Sequence, residues 1–326
     1  MPYMYRELEF LGVESMPALP LFYYPATVVW VDDDELLLQV ATEILGNENK
    51  IQTFNSPGAC LDFFATYIPY LKEAPLLHGR TEMDDYETIN HLPVDINPAA
   101  FTQLPLKHER KNEVSVLIAD YRMPDMTGID LFRQLKGINA KKILLTGEAD
   151  NAQAVAAFNE GIIDCFIQKN SATLVTDIAE HLNILANEYF FELSKALLAH
   201  LEVDGKIHLS DPSFIGFFKD LCKENDIQEH YIFDKQGNMQ LIDAQGTKSY
   251  FVVHTNKTLN AFIELYQDKQ DASNLIDAVK ERKMVPFFGV GLEGWQCKAE
   301  DWLNHFYTPQ LLEGREKYYW FRKEIS

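Results

Sequence analysis

Three consecutive carboxylates, Asp32, Asp33 and Asp34, follow an apolar run at 27–31, and a fourth, Asp120, follows another at 114–119. Thr146 ends a run at 142–146, and Lys169 follows one at 165–168. Hard carboxylate oxygens with few further ligands suit Mg²⁺, which keeps several waters and is shared with phosphate. Adjacent carboxylates repel, so without a cation some would be driven toward protonation. With a carboxylate, a hydroxyl and an ammonium in one place, the chemistry supported is phosphoryl transfer. Asp120 would be the nucleophile, the metal and Lys169 would neutralise the equatorial oxygens, and Thr146 would hydrogen-bond one of them.

These residues can meet only if the runs that carry them lie side by side and end at one edge. The runs at 27–31, 50–54, 114–119, 142–146 and 165–168 are short, carry apolar residues and are separated by helical patterns at 35–45, 57–71, 128–135 and 151–159. Such strands pack as a parallel sheet with helices on both faces, an α/β doubly wound (βα)5 fold whose ligands bind at the carboxyl edge. Ser56-Pro57 and Asp150-Asn151 read as helix starts. Residues 73–112 contain Pro75, Pro93, Pro98 and Pro105 and are long for a connection, so they read as an insertion with a short helix near 98–104.

Beyond the site, 171–202 has apolar residues three or four apart without Gly or Pro, one amphipathic helix that could be a rigid connector, a dimer seam or both. A helix at 212–224 is expected next, then three strands within 230–254 broken by turns at Gly237 and Gly246, an antiparallel meander. Two helices, 259–267 and 272–282, and an aromatic tail complete an α+β half. The expected layout is an N-terminal extension at 1–25, a first domain at 26–180, a connector helix at 181–204 and a second domain at 205–326.

The chain of 326 residues carries a formal charge of −20. That field opposes non-specific attraction to nucleic acid unless a basic patch exists. Residues 201–326 hold 15 basic and 20 acidic side chains, so the second half supplies none. Cys60, Cys165, Cys222 and Cys297 lie far apart and form no zinc or disulfide pattern. No signal-peptide or membrane-spanning pattern is present, and a cytoplasmic location is expected.

The pieces Val-Val-Trp-Val-Asp32-Asp33-Asp34, Leu-Ile-Ala-Asp120-Tyr-Arg-Met-Pro-Asp-Met-Thr-Gly128, Ile-Leu-Leu-Thr146-Gly-Glu-Ala and Phe166-Ile-Gln-Lys169 resemble the CheY-like receiver domain of two-component response regulators. The resemblance covers about 27–180 and implies strand order 2-1-3-4-5. It implies that Asp120 accepts phosphate from a sensor histidine kinase or phosphotransfer protein. Asp33, Asp120 and the backbone carbonyl of Arg122 would bind Mg directly, with Asp32 acting through water. Phe166 matches the switch aromatic that turns inward when Thr146 moves. The family usually has Pro after the lysine, where this chain has Asn170, so a trans peptide is expected there.

The whole chain, including Tyr23-Tyr24-Pro25, the insertion and Asp211-Pro212-Ser213-Phe214, is similar to a set of bacterial response regulators with an uncharacterised C-terminal output domain. The function expected is a phosphorylation-dependent regulator, not an enzyme beyond its own phosphotransfer and dephosphorylation. Phosphorylation would promote a homodimer or a domain rearrangement, and the output would contact a downstream protein. The alternatives are DNA binding through an unrecognised module and a regulated output enzyme. Arg122 and Glu148, of opposite charge, each stand two residues after a site residue. A pair between them over the pocket would slow dephosphorylation.

Overall fold

The computed structural model describes residues 18–46, 50–73, 76–79, 94–201 and 208–325. A two-residue strand, β1 (Phe22–Tyr23), precedes β2 (Thr27–Val31), α1 (Glu35–Leu45), β3 (Lys50–Phe54), α2 (Pro57–Thr66) and the single turn α3 (Tyr70–Glu73). The insertion contributes the antiparallel pair β4 (Leu77–Gly79) and β5 (Val94–Ile96), then α4 (Pro98–Gln103). There follow β6 (Val114–Asp120), α5 (Gly128–Gln134), β7 (Lys141–Thr146), α6 (Asn151–Asn159), β8 (Cys165–Gln168) and α7 (Leu174–Leu201).

β3, β2, β6, β7 and β8 form a parallel sheet in that order, the 2-1-3-4-5 order of a CheY-like fold. Every residue of β2 and β6 is buried, because successive side chains enter opposite cores. Val29, Val31, Leu117, Ala119 and Leu144 meet Cys60 and Phe64 of α2 and Phe132 of α5. Val28, Trp30, Val116, Ile118 and Leu145 meet Leu38 and Ala41 of α1 and Ile178 and Leu182 of α7. Ser56 caps α2 and Pro57 occupies its first turn, as the sequence suggests.

The second half comprises α8 (Pro212–Glu224), β9 (Ile227–Ile232), β10 (Met239–Asp243), β11 (Lys248–Thr255), α9 (Asn256–Tyr266), α10 (Ser273–Lys280), β12 (Val285–Pro286), β13 (Phe306–Tyr307), β14 (Gln310–Glu313) and β15 (Lys317–Glu324). The expected meander is β9 to β11, with Gly237 and Gly246 at φ 84° and 83° in its turns. It is half of a six-stranded sheet ordered β1-β9-β10-β11-β15-β14. The aromatic tail supplies β15, whose Tyr318, Trp320 and Phe321 are buried. α9 starts at Asn256, three residues before the expected 259, because Thr255 and Thr258 cap each other's backbone N–H reciprocally.

The two halves share a core. Leu19, Leu21, Phe22 and Tyr24, Phe101 and Leu104 of the insertion, and Tyr189, Phe190 and Leu197 of α7 all pack with α8 and the antiparallel sheet. Residues 22–23, part of the extension, are thus the edge strand of the C-terminal sheet, with Phe22 opposite Tyr231. The apolar stripe of α7 is buried within the chain, its first turns on the parallel sheet and the rest on the second core. This helix is therefore a spine common to both layers.

Candidate functional site

Each acid at the carboxyl edge of the parallel sheet has its own task. Asp34 is the cap of α1, its Oδ1 accepting from the N–H groups of Leu36 and Leu37 at 3.0 and 3.2 Å. Asp32 is fully buried, and its Oδ1 accepts from the Asp34 N–H at 3.0 Å. Asp33 is exposed, and Asp120 ends β6 at 7% exposure. One ligand oxygen from each of Asp32, Asp33 and Asp120 can be chosen so that all lie within 4.8 Å of one another.

Lys169 lies just past β8, held there by its N–H donating to the Thr146 carbonyl at 2.8 Å. Its Nζ stands 2.8 Å from Oδ2 of Asp32 and 3.1 Å from Oδ1 of Asp120. Burial pushes the Asp120 carboxyl above the usual range, Lys169 acts against that, and the charge of Asp32 adds to it. Burial acts to lower the Lys169 pKa, but the hydrogen bond and charge of Asp32, with Asp120, outweigh it and raise the pKa. One ammonium against three carboxylates leaves a net negative, all-oxygen set. That donor chemistry fits a hard divalent cation of the magnesium kind, held by Asp32, Asp33 and Asp120.

Thr146 ends β7 fully buried, and its Oγ1 has no hydrogen-bond partner. Phe166 pairs in register with Leu144, is half-buried and packs on the core that contains Val31 and Ala119. The peptide between Lys169 and Asn170 is trans, as the sequence implies. The sheet thus brings Asp32, Asp33, Asp120, Thr146 and Lys169 to one edge.

The partner of Arg122 is not one the sequence suggests. Its guanidinium clasps Asp150, Nε lying 3.1 and 2.8 Å from the two carboxylate oxygens and Nη2 2.6 Å from Oδ1. Asp150, expected to cap α6, makes no cap hydrogen bond, because its carboxylate is occupied by Arg122. The side chain of Glu148 lies outside the described residues. Gly128 has a structural role that its motif alone does not explain. A Cβ there would stand 2.4 Å from the Asp120 carbonyl oxygen, so only glycine lets α5 start this close to the site.

The histidines of the second half are separate. The Nε2 atoms of His208, His230 and His254 lie near the carbonyls of Gly237, Pro20 and Pro286, and burial pushes each pKa down to about 4. Asp234 and Asp243 accept from backbone N–H groups of their own turns, as hairpin residues do. No described helix is long and apolar enough to cross a membrane.

Residues 90–179 match the family described as the response regulator receiver domain. The chain is 38% identical over 84 residues to the transcriptional regulatory protein FixJ of Rhizobium meliloti (strain 1021), an overlap of 25% of this chain and 40% of that protein. The curated relative is thus spanned over less than half its length. Among solved structures, the response regulator LqsR of Legionella pneumophila aligns over 96% of this chain and 91% of its own, at 25% identity and a TM-score of 0.75.

Proposed function

We propose that this chain, a two-component response regulator with a CheY-like receiver domain, is switched by transfer of a phosphoryl group to Asp120. The observation that carries the reading is Lys169 placed between Asp32 and Asp120, beside a buried Thr146 hydroxyl with no partner. A carboxylate oxygen of Asp120 forms the new O–P bond as the N–P bond of a phosphohistidine on the kinase or phosphotransfer protein breaks. The electron pair returns to the imidazole nitrogen, which takes up a proton. Lys169 neutralises one phosphoryl oxygen, and Thr146 donates its hydroxyl to another. Magnesium held by Asp32, Asp33 and Asp120, with the Arg122 carbonyl, would supply positive charge to the same oxygens. Phe166 would turn inward as Thr146 moves.

In this reading the receiver spans 26–180 with its insertion at 73–112, 181–204 is the connector, and 205–326 is the output domain. The output acts by contact with a downstream protein, after dimerisation or rearrangement of the halves. Two features support contact with protein over contact with nucleic acid. Residues 201–326 carry a net −5, and Leu265, Leu292, Trp295 and Leu303 of that half are exposed.

The test is treatment of wild type and Asp120→Asn with acetyl phosphate and magnesium, read by intact mass and light scattering. A phosphoryl mass gain in wild type alone supports Asp120 as acceptor, and a parallel rise to dimer mass supports dimerisation. Equal labelling of Asp120→Asn would remove Asp120 from that role.

A further inference from the structure

The Arg122–Asp150 pair joins the two loops that flank the site. Arg122 stands two residues after Asp120 in the β6–α5 connection, and Asp150 ends the turn Glu148–Asp150 that follows Thr146. The pair is one-sided: the Arg122 side chain is 68% exposed and that of Asp150 6%. Asp150 is also the residue just before α6, the N-cap position, where a carboxylate would ordinarily accept from the first-turn N–H groups. It accepts from none of them while Arg122 holds it.

We propose that Arg122 and Asp150 form a latch that phosphorylation opens by exchange of partners. The inference rests on Asp120 being the phosphoacceptor. In the unphosphorylated chain Arg122 ties the loop after Thr146 in the arrangement described, with the Thr146 hydroxyl unpaired. A phosphoryl group on Asp120 adds about two negative charges two residues from the guanidinium. Phosphate oxygens offer that guanidinium the same bidentate geometry as a carboxylate. Arg122 moves to the phosphoryl oxygens, and Asp150 turns to the N–H groups of Ala152 and Gln153 as the cap of α6. The loop between Thr146 and α6 is then free to bring Thr146 to the phosphoryl group. Asp150 thus has two alternative sets of partners, and each set goes with one state of Asp120. Exchange between such discrete arrangements is what couples two positions physically.

Two measurements test this. The first is hydrogen exchange of residues 151–154 in wild type before and after phosphorylation by acetyl phosphate. Protection of Ala152 and Gln153 should rise as the cap forms, whereas a purely structural pair would leave it unchanged. The second is the rate of phosphoryl mass gain. Asp150→Asn can cap but cannot hold Arg122 by charge. It should be phosphorylated roughly three- to tenfold faster than wild type, the range of a partly exposed bidentate pair. Arg122→Ala/Asp150→Asn should lose that gain. Wild type that gains the phosphoryl mass with unchanged exchange at 152–153, or Asp150→Asn labelled no faster than wild type, overturns the latch. Wild type that gains no mass overturns the phosphoacceptor reading itself, and the latch with it.

Discussion

Arg110 and Glu229 are 119 residues apart and meet in a contact nearly closed to water, Nη2 lying 3.0 and 2.7 Å from the two carboxylate oxygens. Tyr231 joins them, its hydroxyl donating to Glu229 at 2.6 Å while accepting from Nε of Arg110 at 2.8 Å. Removing Arg110 leaves the buried Glu229 carboxylate with the Tyr231 hydroxyl and the half-exposed Lys111, 3.8 Å away, in place of a bidentate guanidinium. Arg110→Met should therefore cost about 3–5 kcal/mol, and Arg110→Met/Glu229→Leu should cost less than the single change. Urea unfolding measures both. Because the pair bridges the two halves, wild type should unfold in one transition rather than two.

Gly128→Ala would force a methyl to within 2.4 Å of the Asp120 carbonyl and 2.9 Å of Cδ1 of Leu144. Overpacking of this kind costs about 1–3 kcal/mol. The backbone of Asp120 moves with it, so the variant should also be phosphorylated more slowly by acetyl phosphate. A loss of stability with an unchanged labelling rate would mean that the strain is absorbed by α5 alone.

Lys169 competes with a cation for Asp32 and Asp120. Lys169→Ala should bind magnesium tighter, by about threefold to tenfold, and yet accept phosphate more slowly. Asp33→Ala and Asp120→Ala should weaken magnesium binding. Calorimetric titration separates these outcomes, and weaker binding by Lys169→Ala would contradict the competition.

His208 and His230 are buried and neutral, each with a pKa pushed down to about 4 from an ordinary value of 6.5. As pH falls through 6.5 the unfolded chain takes up protons that the folded chain refuses until about 4. Their contribution is complete above pH 6.5 and is lost between there and 4. By pH 5 the loss is about 2 kcal/mol per histidine. Urea midpoints at pH 7.5 and 5 measure it, and replacing His230 by Gln should flatten the dependence.

The acidic site was legible because each of its residues adjoins the end of an apolar strand. Strand ends can be counted along the chain, and parallel pairing then brings Asp32, Asp120, Thr146 and Lys169 to one edge. Asp150 was not legible in its actual role. A carboxylate before a helix reads as a cap, and only the fold places a guanidinium 2.6 Å away. Nor was β1, whose two residues find their partners Tyr231 and His230 some two hundred positions later. β15 was obscured by Tyr318, Tyr319, Trp320 and Phe321, four successive aromatics that mask the alternation by which a strand is read.

β1 has a consequence for how the chain is made. Leu19, Leu21, Phe22 and Tyr24 are synthesised some two hundred residues before β9, the strand that pairs with Phe22 and Tyr23. The parallel sheet can assemble in the meantime, since none of its five strands comes from beyond Gln168. The nascent chain therefore carries a folded layer beside an apolar segment whose β9-facing edge stays unpaired until β9 emerges. Closing so long a loop is slow and adds to contact order. A fragment that stops after α7 would leave the side of that core facing α8 and β9 permanently exposed and should aggregate, although it holds every residue of the acidic site.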